Sequence, residues 1–107
     1  MSKIHQKVIK AFLEGKSCKV SNTMTNGSEL FLFNNCIARR DRERIQVTTA
    51  GWNTVTTRDR LSMLPGVWVR CRKGNLQINF TNDQSEWKDW YGEWINVEKI
   101  FYENNNR

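Results

Sequence analysis

Apolar positions along the chain change period several times, and each change marks an element. Near the start, Ile4, Val8, Ile9, Phe12 and Leu13 recur at helical spacing, while Lys3, Lys7 and Lys10 fall on the other side. The spacing predicts a helix from about Ser2 to Glu14, capped by Ser2 and stopped by Gly15. Its apolar stripe suits it to lie across a sheet with the lysines in solvent.

The period then falls to two. Ser21 to Ser28 is polar and turn-rich, and it contains Asn26-Gly27, a hairpin signal when β runs flank it. The preceding run, Ser17 to Ser21, is weak, whereas Glu29-Leu30-Phe31-Leu32-Phe33 is clear. Asn34-Asn35 predicts a tight turn into Cys36–Arg40, and Asp41-Arg42-Glu43 predicts another into Arg44–Thr49. In that last run Ile45 and Val47 are expected inward, with Arg44, Gln46 and Thr48 outward. Three short strands joined by short turns read as an antiparallel meander.

Gly51-Trp52 breaks the alternation. Thr56 is a cap candidate for a short helix, with Asp59 three residues on, Leu61 and Leu64 on one face, and Pro65-Gly66 as the stop. A hairpin follows: Val67–Arg72, a Lys73-Gly74-Asn75 turn, and Leu76–Phe80. In the last quarter Trp87, Trp90 and Trp94 are three and four residues apart, a spacing that lets one helix present all three. Gly92 keeps any such helix short, and Trp94 to Val97 reads equally well as an edge strand. Residues 103–107 read as a frayed tail, and no internal repeat or linker stands out. The expectation is one small α+β domain over residues 1–107. Its sheet is antiparallel, a meander plus a hairpin, with the N-terminal helix packed on it and a short central helix.

Composition permits this. A chain of 107 residues is long enough for an unstapled core, and five Trp, five Phe and two Tyr supply large buried areas despite an apolar fraction of 38%. The net charge of +6 is uneven. Residues 1–82 carry 14 Lys/Arg and 5 Asp/Glu, a net of +9, while residues 83–107 carry 3 and 6, a net of −3. A basic body with an acidic end predicts an anionic partner for the body or charge complementarity within the fold.

Several chemistries are disfavoured. Cys18, Cys36 and Cys71 are odd in number, widely spaced and preceded by no signal peptide, which predicts free, buried thiols in a reducing cytosol. With His5 they offer no paired metal-ligand spacing, so neither metal nor other cofactor is expected. No run approaches the ~20 apolar residues that span a bilayer. His5, the single histidine, is as readily an exposed or capping residue as a catalytic base. Asp83, Glu86, Asp89 and Glu93 read as a solvated face rather than a carboxylate pair, and no glycine-rich phosphate loop exists. An enzyme is not expected.

Nucleic-acid binding is the specific reading the residues favour. Arg39, Arg40, Arg42 and Arg44 sit at a strand end and turn, Arg58 and Arg60 at a helix start, and Arg70, Arg72 and Lys73 in a hairpin. Guanidinium forks suit phosphate oxygens, and exposed aromatics such as Trp68 or Trp52 can stack on bases. Against this, Asp41, Glu43 and Asp59 are placed to neutralise part of the cluster, and the tryptophans are equally good core residues.

Between Lys19 and Leu64, the order Asn22, Thr23 or Thr25, Gly27, Leu30, Ile37-Ala38, Ile45, Val47 and Thr56-Thr57-Arg58 resembles a pattern found in many small bacteriophage proteins. The resemblance covers less than half of the chain and excludes its Trp-rich end. It implies a phage or mobile-element origin and a small α+β fold, and it implies no activity. It also supports a second function: an inhibitor acting in the host cytosol on a protein or nucleoprotein complex, such as CRISPR, a polymerase or a nuclease. Trp87, Trp90 and Trp94 would be the partner face, since Trp and Arg dominate interface energetics. Oligomeric state is left open by these residues.

Overall fold

The computed structural model describes residues 3–41, 44–81 and 83–97. Ser2, the Ile4 side chain, Arg42, Glu43 and the tail at 103–107 lie outside them. Helix α1 (Lys3–Glu14) buries Val8, Ile9 and Phe12 and leaves Lys7 and Lys10 in solvent. Burying each of those apolar side chains contributes about 1.5–3 kcal/mol. Gly15 ends the helix as predicted. At φ +76 it donates from its N–H to the Phe12 carbonyl, and Lys16 donates to that of Ala11, which together satisfy two orphan carbonyls.

Five strands then run as one meander: β1 (Ser17–Val20), β2 (Thr23–Asn26), β3 (Glu29–Leu32), β4 (Asn35–Asp41) and β5 (Arg44–Val47). The meander is longer than the three strands expected, because the weak run after Gly15 is a strand and half of the polar stretch at 21–28 is another. Its Thr23 and Thr25 are buried polar residues with satisfied hydroxyls: each donates, to Asn22 Oδ1 and to the Glu29 carbonyl. The Asn26 side chain accepts from the N–H groups of Ser28 and Glu29 and closes the β2–β3 turn.

Helix α2 (Val55–Ser62) starts two residues earlier than its Thr56 cap predicted. Thr54 Oγ1 accepts from the Thr57 N–H, and Asp59 turns to Arg60 instead of closing a capping box. Leu64 is buried with Leu61, although it lies beyond the helix end. A second sheet follows, from β6 (Trp68–Arg72) and β7 (Asn75–Asn79). Lys73 and Gly74, at φ +52 and +83, make the two-residue turn between them that matches strand twist.

The last quarter forms no helix among the described residues. It is an extended strap whose β8 (Lys88–Asp89) pairs with β7 and whose β9 (Ile95–Asn96) pairs with β5. The sheet orders are therefore β1-β2-β3-β4-β5-β9 and β6-β7-β8, antiparallel throughout. Between its two strands the strap sinks Trp90 into the core, 2% exposed, where Nε1 donates to the Glu93 carbonyl. Both sheets and both helices contribute to one apolar core, from Phe12 and Ile37 to Leu61, Ile78 and Trp90. Thr48, expected to face outward, is buried at the end of β5 and donates through Oγ1 to the Gly92 carbonyl. Once β5 ends at Val47, strand alternation no longer sets side-chain direction.

Candidate nucleic-acid interface

The predicted arginines divide by the direction their elements give them. Arg60 is not a surface residue. It is 7% exposed, and its guanidinium donates to Thr23 Oγ1 at 2.9 Å, to His5 Nε2 at 3.3 Å, to Asn22 Oδ1 at 3.5 Å and to the Asp59 carboxylate. It ties α1, β2 and α2 together. His5 is likewise buried, not exposed or capping. Burial and the adjacent Arg60 charge push its pKa below the usual histidine value, against a smaller opposing effect from Asp59. Since Arg60 donates to Nε2, the neutral ring carries its proton on Nδ1, which has no partner among the described residues.

Arg40 is also structural. It is half-buried, its Nη2 donates to the Gly27 carbonyl at 3.0 Å, and the same atom sits 2.8 Å from where a Cβ on Gly15 would stand. That places its charge against the C-terminal end of α1, where a cation is favoured. Arg58 donates from Nη1 to the backbone and side-chain oxygens of Asn53. Arg44, Arg72 and Lys73 are exposed, and Trp68 is half-buried at the start of β6.

Arg39 and Arg70 are built into a shared arrangement that pairs like positions of the two sheets. On the first sheet Arg39, Gln46 and Asn96 stand side by side on β4, β5 and β9. Arg39 Nε donates to Gln46 Oε1 at 2.7 Å, Gln46 Nε2 donates to Asn96 Oδ1 at 2.8 Å, and the guanidinium lies 4.0 Å from the Trp94 ring centre. On the second sheet Arg70, Gln77 and Asp89 stand side by side on β6, β7 and β8. Arg70 Nε donates to Gln77 Oε1 at 2.9 Å, Gln77 Nε2 donates to Asp89 Oδ1 at 3.1 Å, and the guanidinium lies 4.0 Å from the Trp87 ring centre. The same side-chain arrangement thus occurs on both sheets, without a repeated stretch of sequence behind it. Its faint sequence signal is apolar-Arg, then apolar-Gln-apolar with Gln seven residues after Arg, then Trp two residues before the closing Asn or Asp.

The three tryptophans therefore form no common face. Trp87 and Trp94 each flank one arginine, and Trp90 between them is core. Among the described residues two ion pairs form, Lys16–Glu14 and Arg60–Asp59. Asp59 is thus spent internally; none of the outward arginines forms a described ion pair, although Glu29 stands beside Arg39 and Asp41 beside Arg44 in the sheet register.

The thiols are less buried than expected: Cys18 and Cys36 are half-buried, Cys71 is exposed, and all three are free. Burial and the Glu29 carboxylate push the Cys36 pKa up, which keeps it a poor nucleophile. Among the described residues no three of His, Cys, Asp and Glu converge as a metal site, and no helix is long and apolar enough to cross a membrane.

One further surface had no clear sequence signal. Phe33 and Trp52 are 62% and 57% exposed and border an apolar groove of about 350 Å³, floored by Leu32 and Ile37 and edged by Thr54 and Thr57. Phe33 and Asn34 form the β3–β4 turn at φ +49 and +69, a conformation a bulky side chain rarely adopts.

No curated protein and no solved structure matches the chain. A family model described as Kyanoviridae Gp96 protein matches residues 1–105, and the chain belongs to that bacteriophage family.

Proposed function

We propose that this phage protein is a non-enzymatic accessory factor that binds nucleic acid in the host cytosol through arginines on the outer faces of its two sheets. One observation carries the reading: Arg39 and Arg70 are held over the rings of Trp94 and Trp87, and neither forms a described ion pair. Arg44, Arg72 and Lys73 are further exposed cations of the two sheets and their turns, and Arg58 adds charge from α2, whereas Arg40 and Arg60 are withdrawn into structural bonds. Binding rather than catalysis fits the fate of the reactive groups, since the single histidine is committed to Arg60 and the Cys36 thiol is deactivated.

Fluorescence anisotropy with labelled DNA and RNA tests the proposal. Affinity should fall by about an order of magnitude or more between about 50 and about 200 mM salt, as phosphate contacts release counterions. Arg39→Ala and Arg70→Ala should each weaken binding and lower the salt slope by about one. Absence of binding to either polymer at low salt would sink the reading.

The Phe33–Trp52 groove favours a second reading, in which the protein inhibits a host protein by docking on it. A strained, exposed phenylalanine beside an apolar groove has the character of an interface anchor. In that case Phe33→Asp abolishes capture of the host protein from nuclease-treated lysate, while Arg39→Ala leaves capture intact.

A further inference from the structure

The two arginine ladders have properties that phosphate attraction alone does not require. A phosphate-binding arginine needs only reach, and a flexible side chain suffices. Here each guanidinium is fixed in plane and in position. Its Nε is bonded to a glutamine, that glutamine is bonded in turn to Asn96 or Asp89, and the guanidinium carbon sits over an indole ring at 4.0 Å from its centre. The terminal Nη atoms of Arg39 and Arg70 have no partner among the described residues, so each plane retains free in-plane donors. In the first ladder both Arg39 and Trp94 remain exposed, and in the second Arg70 and Trp87 are half-buried. An exposed cation–aromatic pair contributes little to stability, which is little reason to build the same four-residue arrangement twice.

We infer that the two ladders are paired stacking stations for single-stranded nucleic acid, each taking one base on its arginine–tryptophan stack and a phosphate or base edge on the free Nη donors. The inference rests on the nucleic-acid reading above and narrows it. A flat, cationic, pre-oriented platform matches the face of an unpaired base, which a duplex keeps covered by its neighbours. Locking the side chains during folding removes ordering cost at binding. The spacing also fits one strand. Asp89 and Asn96 are seven residues apart on the same strap, so the Cα atoms that close the two ladders lie at most about 25 Å apart. A strand of several nucleotides spans that distance, within the roughly 4–16 nucleotides that small single-strand binders cover.

The test is anisotropy titration at about 150 mM salt with an oligothymidylate of about 15 nucleotides, the corresponding oligouridylate, and a duplex of the same length. Wild type is compared with Arg39→Lys, Arg70→Lys and the double variant, which keep the charge but lose the planar stack. Single strands should bind at least about 10-fold more tightly than duplex, and each Lys substitution should cost about 5- to 150-fold on single strands with the salt slope nearly unchanged. Trp87→Leu and Trp94→Leu should act alike where circular dichroism shows them folded. The Lys variants, at exposed Arg39 and half-buried Arg70, keep the test valid if those do not fold. Equal affinity for duplex and single strand, with Lys variants like wild type, would overturn the stacking inference and leave backbone binding standing. Loss of binding to every polymer at low salt would remove both. Binding only to an acidic protein, with nucleic acids inert, would likewise overturn it in favour of a protein partner.

Discussion

Gly92 is the point at which the strap is fastened, and Gly92→Ala measures how tightly. Its carbonyl accepts from the Thr49 N–H at 3.1 Å and from Thr48 Oγ1, so the strap is pinned to the end of β5 midway between its two edge strands. Two separate costs oppose a methyl group there. Gly92 sits at φ +85, where an L side chain pays about 1–2 kcal/mol. The new Cβ would also collide with Thr49 Oγ1 and stand 3.3 to 3.4 Å from Thr49 Cβ and Cγ2, in a residue that is itself buried. Overpacking of this kind costs about 1–3 kcal/mol. The substitution should therefore destabilise the fold by roughly 2–5 kcal/mol, or about 10–25 °C in Tm for a domain of this size.

A double-mutant cycle separates the two costs. Thr49→Ala removes Oγ1, the nearest obstacle, together with Cγ2, and leaves Cβ at 3.3 Å. Measured by urea denaturation, it should destabilise the wild type slightly but be neutral or stabilising beside Gly92→Ala. The expected coupling is about 1–3 kcal/mol, with the backbone cost of about 1–2 kcal/mol left over. A loss under about 1 kcal/mol for Gly92→Ala, or a large loss with no coupling to Thr49, would refute this account of how the strap is seated.

Arg60→Met should cost about 3–5 kcal/mol by stranding Asp59, Thr23 and His5, yet leave the salt slope of nucleic-acid binding unchanged wherever the variant is folded. The lowered His5 pKa means that the unfolded chain binds the proton more readily. Stability should therefore be fully present above about pH 6.5 and decline as pH falls below it, and His5→Gln should flatten that decline in denaturation curves taken between about pH 7 and about pH 5. Asp89→Asn converts the second ladder's closing residue to that of the first, so the Gln77 bond should survive and nucleic-acid affinity at low salt should rise a few-fold. A fall in affinity would mean that the carboxylate itself takes part in recognition.

What the sequence revealed of this fold was the part written in apolar periodicity. The Val8–Phe12 stripe, the Ile45–Val47 alternation and the Lys73-Gly74 turn each predict their elements because solvent exclusion or backbone twist acts on those residues locally. What escaped was polar burial. Thr23, Thr25 and Arg60 look like surface residues, and only the hydrogen bonds that converge from distant segments make their burial tolerable. The Trp87–Trp94 spacing fits a helix, but Gly92 at φ +85 and pairing with two separate sheets draw the segment out straight.

The same local geometry decides which arginines remain available to a ligand. Arg39 and Arg40 are neighbours in sequence but point to opposite faces of β4, so one stacks on Trp94 and the other closes onto Gly27. Arg58 and Arg60, two apart on a helix, diverge in the same way, one toward Asn53 and the other into the core. Arg70 and Arg72, two apart on a strand, share a face and both remain outward. A run of basic residues thus becomes two inner fasteners and an outer set, and the outer set is organised by a strap whose Trp87 and Trp94 reach both sheets. Removing the strap's register at Gly92 would disturb both arginine stations at once, whereas removing any one outer arginine would disturb only its own.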